Sequence, residues 1–230
     1  MSGTLEAVSK AGRAREAARQ AMKKMRELKN DWEFDIVRNH ASMAGDTGSA
    51  RSSAGMESWI ATNAFASVTP TTAMTNPGFL NGIVAAPTDA TQGALSEGAF
   101  KQLFSRAWAQ GGDARIVLAN TSTKAVIDGF TGIVTRSIDM TRSNPQQAAI
   151  IGAANVYVSS YGIHTVVLHR HVRGQVIMAL DPDYWAIAML RQPFMEELAK
   201  TGDARKYFMA AEWTLVCRNE AANSKVVGVL

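Results

Sequence analysis

The feature that most constrains this chain is the pattern from Ser2 to about His40. Leu5, Val8, Ala18, Met22, Met25, Leu28, Trp32 and Ile36 recur at spacings near three or four. Lys10, Arg13, Arg15, Arg19, Lys23, Arg26 and Lys29 fill the other faces, and no proline interrupts the run. Ser2 or Thr4 can cap the first turn, where Glu6 suits the positive end of the helix dipole. Gly12 costs about 1 kcal/mol against alanine, too little to break so long a helix. Gly45, in the turn-forming stretch Ala44–Ser49, suits the left-handed position that follows a helix. One helix of this length would run about 55 Å, against about 45 Å for a compact globule of 230 residues. The pattern therefore predicts an elongated or flattened subunit whose long element is buried by neighbours, and it disfavours a free-standing enzyme.

A chain of 230 residues can bury a real core without staples. Cys217 is the only cysteine, which rules out an intrachain disulfide and a cysteine-based zinc site and fits a reducing compartment. No apolar run is long enough to span a membrane, and the N-terminus lacks the apolar segment of a signal peptide. The expectation is a soluble protein, intracellular when made. The formal net charge is +4, and the first thirty residues hold eight Lys or Arg against three Glu. Such a helix can face nucleic acid or acidic partners. No aromatic residues interleave the basic ones, however, as they do in single-strand grooves, so a solvated helix face is the simpler reading.

Downstream, Gly55–Ile60 reads as a short apolar element and residues 66–94, rich in Thr, Pro, Gly, Ala and Asn, as a long surface loop. Loops this long inside a domain are usually functional or interfacial. Ser96–Gln110 predicts an amphipathic helix capped by Ser96, with Ala99, Phe100, Leu103, Phe104 and Ala107 on one face, ending at Gly111-Gly112. Arg115–Ala119 predicts a strand and Ser122–Gly129 a second helix. Strand candidates follow at Ala148–Ile151, Asn155–Ser159, Thr165–His169, Gln175–Leu180 and Trp185–Leu190. Tyr207–Arg218 predicts a long strand and Val226–Val229 a last short one.

Residues that could carry chemistry do not assemble into a catalytic pattern. Asp46-Thr47-Gly48-Ser49 has the letters of an aspartic protease loop, which needs an apolar strand before it and a second carboxylate beside it. Here a helix end precedes it and no second triplet exists, so a turn is expected. His169 and His171 would share one side of a strand, a spacing that can ligate metal. With Arg170 and Arg173 beside them and no nearby acid or thiol, they read as surface strand histidines. Asp181 and Asp183 flank Pro182 as turn residues, without the further oxygens of a calcium loop. Cys217 alternates with Leu215 in a predicted strand and reads as a packed thiol. Walker, dinucleotide and Gly-x-Ser-x-Gly motifs are absent. No catalytic residue, metal site or cofactor is expected.

Long segments in order resemble the major capsid proteins of tailed phages and prophages. They include Ser2-Gly3-Thr4, Lys10-Ala11-Gly12-Arg13, Ala44-Gly45-Asp46-Thr47-Gly48-Ser49-Ala50-Arg51, Gly55-Met56-Glu57-Ser58-Trp59-Ile60 and Thr62-Asn63. The resemblance continues through Trp108-Ala109-Gln110-Gly111-Gly112-Asp113, Phe130-Thr131-Gly132-Ile133 and Ile151-Gly152-Ala153-Ala154-Asn155-Val156-Tyr157-Val158. It closes on Leu180-Asp181-Pro182-Asp183-Tyr184-Trp185-Ala186, Glu197-Leu198-Ala199-Lys200-Thr201-Gly202-Asp203 and Arg218-Asn219-Glu220-Ala221.

What this resemblance implies is an α+β chain of the Hong Kong ninety-seven capsid fold. A spine helix and a long-stranded peripheral sheet would occupy residues 1–69 and 191–230, around an inserted mixed α/β axial domain at 70–190. Residues 204–221 would form the returning strand packed on the spine helix. The loop at 66–94 and the turns near Arg136 to Pro145 become candidates for subunit contacts. The implied function is a structural subunit that self-assembles through pentamers and hexamers into an icosahedral shell around double-stranded DNA. Scaffold or decoration proteins would be further partners, and the location the virion capsid, after assembly in the host cytoplasm. Arg13, Arg15, Arg19, Lys23 and Lys24 would be the genome-facing basic residues. Relatives carry an N-terminal arm and an extended hairpin loop before the spine helix, so a truncated form or alternative start that assembles poorly is expected. Closed shells of normal size in light scattering would contradict that expectation. Alternatives are a cargo-holding nanocompartment shell of the same fold, or a nucleic-acid-binding module built on the basic helix.

Overall fold

The computed structural model describes residues 2–8, 12, 16–70, 74, 78–130, 155–200 and 202–230. The expected single helix over Ser2 to His40 is replaced by two: α1, Gly3–Ala7, and α2, Glu16–Val37. Ser2 caps α1, its Oγ accepting from the Leu5 amide at 3.3 Å. Val8 then turns extended, and Gly12 takes φ +73°, a left-handed conformation that an α-helix cannot contain. Sequence periodicity could not register this break, because α1 and α2 each keep the helical spacing. At 22 residues α2 is about 33 Å long, shorter than the about 45 Å expected across a compact globule of this chain length. Gly45 does adopt φ +79°, but in a loop eight residues after the helix has ended.

The core is a six-stranded mixed sheet in the order β1-β10-β7-β4-β6-β5. Its strands are β1, Ala64–Ala66; β4, Ile116–Ala119; β5, Val156–Ser159; β6, Gly162–Leu168; β7, Val176–Leu180; and β10, Ser224–Val227. Strand β1 pairs parallel with β10, Ala64 opposite Lys225. The first and last thirds of the chain thus close one edge of the sheet together. Helix α4, Glu97–Ala109, lies on one face, and Ser96 caps it as expected, accepting from the Ala99 amide at 3.1 Å. Its apolar side, Ala99, Phe100, Leu103, Phe104 and Ala107, is fully buried against Val117, Tyr157, Val166, Ile177 and Val226. Helix α5, Thr121–Asp128, opens on a capping box built by Asn120 and Thr123.

Among the described residues, the cover on the opposite face lies at its β10 and β7 end. There Val37 at the end of α2, Met56 of α3 (Met56–Trp59), Ile60 and Trp185 pack on Val176, Met178, Leu180 and Val227. The predicted strand at Trp185–Leu190 runs further, as β8, Trp185–Leu198, paired antiparallel with β9, Lys206–Cys217. Pro193 does not end β8, because it falls inside the register shift between Arg191 and Phe194, where the ladder does not need its missing amide. The stretch expected as loop at 66–94 contains a further hairpin, β2, Phe79–Leu80, and β3, Ile83–Val84. The strand expected at Ala148–Ile151 and the turns near Arg136 to Pro145 lie outside the described residues.

Candidate assembly surfaces

Helix α2 meets the β8–β9 ribbon through an aromatic contact. Ala21, Met25, Leu28 and Trp32 form its half-buried stripe, and Trp32 meets Trp213 of β9 at 5.6 Å between ring centroids. The Ser53 hydroxyl anchors the same strand, accepting from the Leu215 amide at 3.0 Å. A two-stranded ribbon alone is marginal in water, and the Trp32 ring and the Ser53 hydroxyl are two of the contacts that hold this one. On the outer turns of α2, Lys23 and Lys24 are exposed. Lys24 is bridged to Glu27 at 2.6 Å, which raises its pKa, and Arg19 lies 3.5 Å from Glu16. Arg13 and Arg15 lie outside the described residues. Of the five expected basic residues, three therefore sit on one helix, two of them beside an acid one turn away.

His169 and His171 are not strand residues. Strand β6 ends at Leu168, and both histidines sit in the turn beyond it, folded onto α2. His169 Nε2 lies 2.9 Å from Glu33 Oε1, and His171 Nε2 lies 3.1 Å from Asn30 Oδ1. The His171 amide donates to His169 Nδ1, and the ring of His171 meets Phe34 edge-on. The pair joins the central sheet to the spine helix, a contact across some 140 residues that no local signal announces.

A buried ionic group ties α3 to the same sheet. Glu57, 1% exposed, receives both Nε and Nη2 of Arg173, and Arg173 also holds Asp89 through Nη2 at 2.7 Å and Nη1 at 3.0 Å. Burial works against the Arg173 charge, but the two carboxylates outweigh it and raise its pKa. Lys225, fully buried in β10, donates Nζ to the Glu57 carbonyl. Burial pushes its pKa down to about 8. Around the base of the ribbon, Glu220 accepts from the amides of Ala61 and Thr62, and Asn223 Oδ1 accepts from the Asp181 amide and Trp185 Nε1, both at 2.9 Å. Asp181 and Asp183 are turn residues as expected, and Arg115 bridges both. These contacts explain what several of the resembling segments do: they fix the ribbon, α3 and the sheet to one another.

Asp46 folds its carboxylate back on its own loop, accepting from the Gly48 and Ser49 amides at 2.8 and 2.7 Å. Those donors lower its pKa, and no second carboxylate shares a proton with it among its described partners. Cys217 is a half-buried strand thiol whose pKa burial raises to about 12, which keeps it protonated. Among the described residues no group of three or more His, Cys, Asp or Glu could hold a metal ion, and no helix is long and apolar enough to cross a membrane.

The exposed apolar side chains of the described surface include three clusters. One is the tip of the β2–β3 hairpin, with Phe79, Leu80 and Ile83 exposed and Phe79 stacked on Trp59. The Asn81-Gly82 pair turns it, at φ +52° and +83°. That dipeptide between apolar pairs is itself a hairpin signal in the sequence, and reading residues 66–94 as loop overlooked it. The second is the outward face of β5 and β6, with Val156, Val158, Ile163 and Val167. The third is β8, with Ile187, Met189, Leu190, Met195 and Leu198. Long apolar edges of this kind aggregate unless a partner covers them.

Comparison with known proteins matches residues 1–229 to the family described as SU10 major capsid protein. Among solved structures, the capsid of an empty GTA particle, computed with C5 symmetry, aligns with 96% of this chain and 69% of its own, at 11% identity and a TM-score of 0.52. The crystal structure of a virus-like particle from Pyrococcus furiosus aligns with 60% of this chain and 54% of its own, at 12% identity and a TM-score of 0.35. No curated protein matches the sequence.

Proposed function

Because this chain belongs to the SU10 major capsid protein family, we propose that it is the repeating tile of an icosahedral shell that encloses double-stranded DNA. Its role as a structural subunit of a virion capsid, associating with copies of itself, follows from the family and from the Hong Kong ninety-seven type fold. The observation that carries the reading is the family match over residues 1–229 of a chain whose described surface leaves long apolar strands uncovered. A monomer would pay for that surface in solubility; a tile hides it against its neighbours. Catalysis has no part in this reading, since the side chains that might have supplied it hold loops and sheets in place.

We divide the tile into a peripheral part, the spine helix α2 with the β8–β9 ribbon, and an axial part built on the six-stranded sheet. Residues 1–69, 70–190 and 191–230 approximate that division. In this reading Ala64–Ala66 and Ser224–Val227, which pair within the six-stranded sheet, count with the axial part, and Trp185–Leu190, which begin β8, with the peripheral part. Arg13, Arg15, Arg19, Lys23 and Lys24 are assigned to the genome-facing side, where phosphate neutralisation needs no base contacts. Scaffold or decoration proteins would meet the outer surface, and assembly would take place in the host cytoplasm.

Sedimentation of the purified chain over a range of concentrations tests the shell reading. Mass action toward discrete large species supports it, and a monomer at every concentration contradicts it. Duplex DNA binding by a Lys23→Glu, Lys24→Glu variant tests the genome-facing side. The expected result is a weaker complex with a shallower salt dependence, and an unchanged salt slope would contradict the assignment.

A further inference from the structure

Two of the uncovered apolar surfaces sit at opposite edges of one sheet. The β2–β3 hairpin is tied to the β1 edge: the Met74 amide just before it donates to the Ala64 carbonyl at 2.7 Å, and Phe79 stacks on Trp59, five residues before β1. Its tip side chains Phe79, Leu80 and Ile83 are 50 to 64% exposed. The other surface is the β5 edge. Val156 of β5 pairs with Thr165 of β6, and Val158 with Ile163, so these four share a face, and β4 extends it through Leu118 opposite Val167. Val156, Val158 and Ile163 are 51 to 66% exposed, whereas the side chains between them, Tyr157, His164 and Val166, point into the core beneath α4.

The two surfaces suit one another. The hairpin is a narrow exposed tip held by its two-residue turn, and the strand face is broader and built of β-branched side chains. Neither Phe79–Ile83 nor Val156, Val158, Ile163, Thr165 and Val167 includes a charged residue, as the desolvated centre of an interface requires. The exposed apolar area is roughly 300 Å² on the tip and roughly 400 Å² on the face. Together that is the apolar share of an interface of about 1,200 Å² in total, the lower bound for a specific, stable contact.

Resting on the shell-subunit reading above, we infer that the β2–β3 hairpin of one copy seats on the β5–β6 face of the next. Because the two surfaces differ and lie at opposite edges, the contact is heterologous. Each copy still offers a free hairpin and a free face after pairing, so the contact repeats around a rotational axis until a ring closes. A self-complementary two-fold contact through either surface alone would stop at a pair.

Leu80→Asp breaks the tip and Ile163→Asp breaks the face, both at exposed positions, with circular dichroism and thermal melting to confirm that each variant is folded. Each alone is expected to reduce ring-sized species at least tenfold in sedimentation. A one-to-one mixture is expected to recover discrete dimers, since one intact hairpin and one intact face remain. In a Cys217→Ala background, a Leu80→Cys, Ile163→Cys double variant is expected to give a ladder of covalent oligomers on mild oxidation, whereas Leu80→Cys or Ile163→Cys alone is expected to give none beyond dimer. Parent-like assembly of both aspartate variants, or no ladder from a double variant that still assembles, overturns the inference and leaves the shell reading intact. A parent chain that stays monomeric throughout contradicts the shell reading, and the inference falls with it.

Discussion

The indole rings of Trp32 and Trp213 lie 5.6 Å apart with their planes inclined at 49°, and they join the spine helix to the returning strand of the ribbon. Trp32→Ala is expected to lower unfolding stability by about 2 kcal/mol, less than for a fully buried tryptophan because both residues are only half-buried. Urea unfolding measures the loss. Hydrogen exchange should locate it, with amides of α2 losing protection before those of α4.

The Glu57–Arg173 pair is the buried tie between α3 and the sheet. Glu57→Gln leaves the guanidinium short of one buried carboxylate and is expected to cost about 3 kcal/mol. Asp89→Asn removes the half-exposed partner of the same arginine and is expected to cost less than about 1 kcal/mol. Equal losses in the two variants would contradict the ranking by burial.

Lys225 gives the protein an alkaline signature. Its folded pKa, about 8, lies below the 10.5 of an unperturbed lysine. Between these values the unfolded chain binds the extra proton, so stability rises with pH across that window, by up to about 3 kcal/mol for this group alone. Cys217 acts in the opposite sense, since its thiol ionises more readily when unfolded and so draws stability down above pH 9. In a Cys217→Ala background the rise from pH 8 to 10 should be visible, and Lys225→Met should remove it. Chemical unfolding at a series of pH values measures both.

His164 sets the acid side. Burial lowers its pKa from 6.5, where its ring stacks on Phe104 at 3.6 Å and its Nδ1 lies 2.6 Å from the Ala114 carbonyl. His40 is shifted the same way by burial and by Arg38. The unfolded chain therefore takes up protons first, and stability is expected to fall as pH drops below 6.5. Thermal melting at pH 7 and pH 5.5 checks the direction.

What was legible in the sequence was whatever depends on spacing within a few residues. The Ser96 cap follows from a hydroxyl placed just before an amphipathic run, the Phe100, Leu103 and Phe104 stripe of α4 from helical period, and most of the short strands from apolar runs bounded by turn residues. Two things did not follow. The helix break near Gly12 leaves the apolar period undisturbed on either side, and Pro193 looks like a strand end unless the bulge that accommodates it is known. Contacts between distant segments were equally hidden: β1 with β10, His169 with Glu33, and Arg173 with Glu57 each join residues more than a hundred positions apart. The resemblance to capsid proteins supplied the architecture, while the exposed faces of β5, β6 and β8 emerged only once the pairing showed which side chains the core leaves out.

The most direct test of the account is electron microscopy of the concentrated chain. It predicts particles of rotational symmetry, rings or closed shells, in which the six-stranded sheets gather around the axes and the α2 helices with their ribbons lie outward. A field of single 24.7 kDa particles at every concentration, or assemblies with the ribbons at the axes and the sheets outermost, would contradict it.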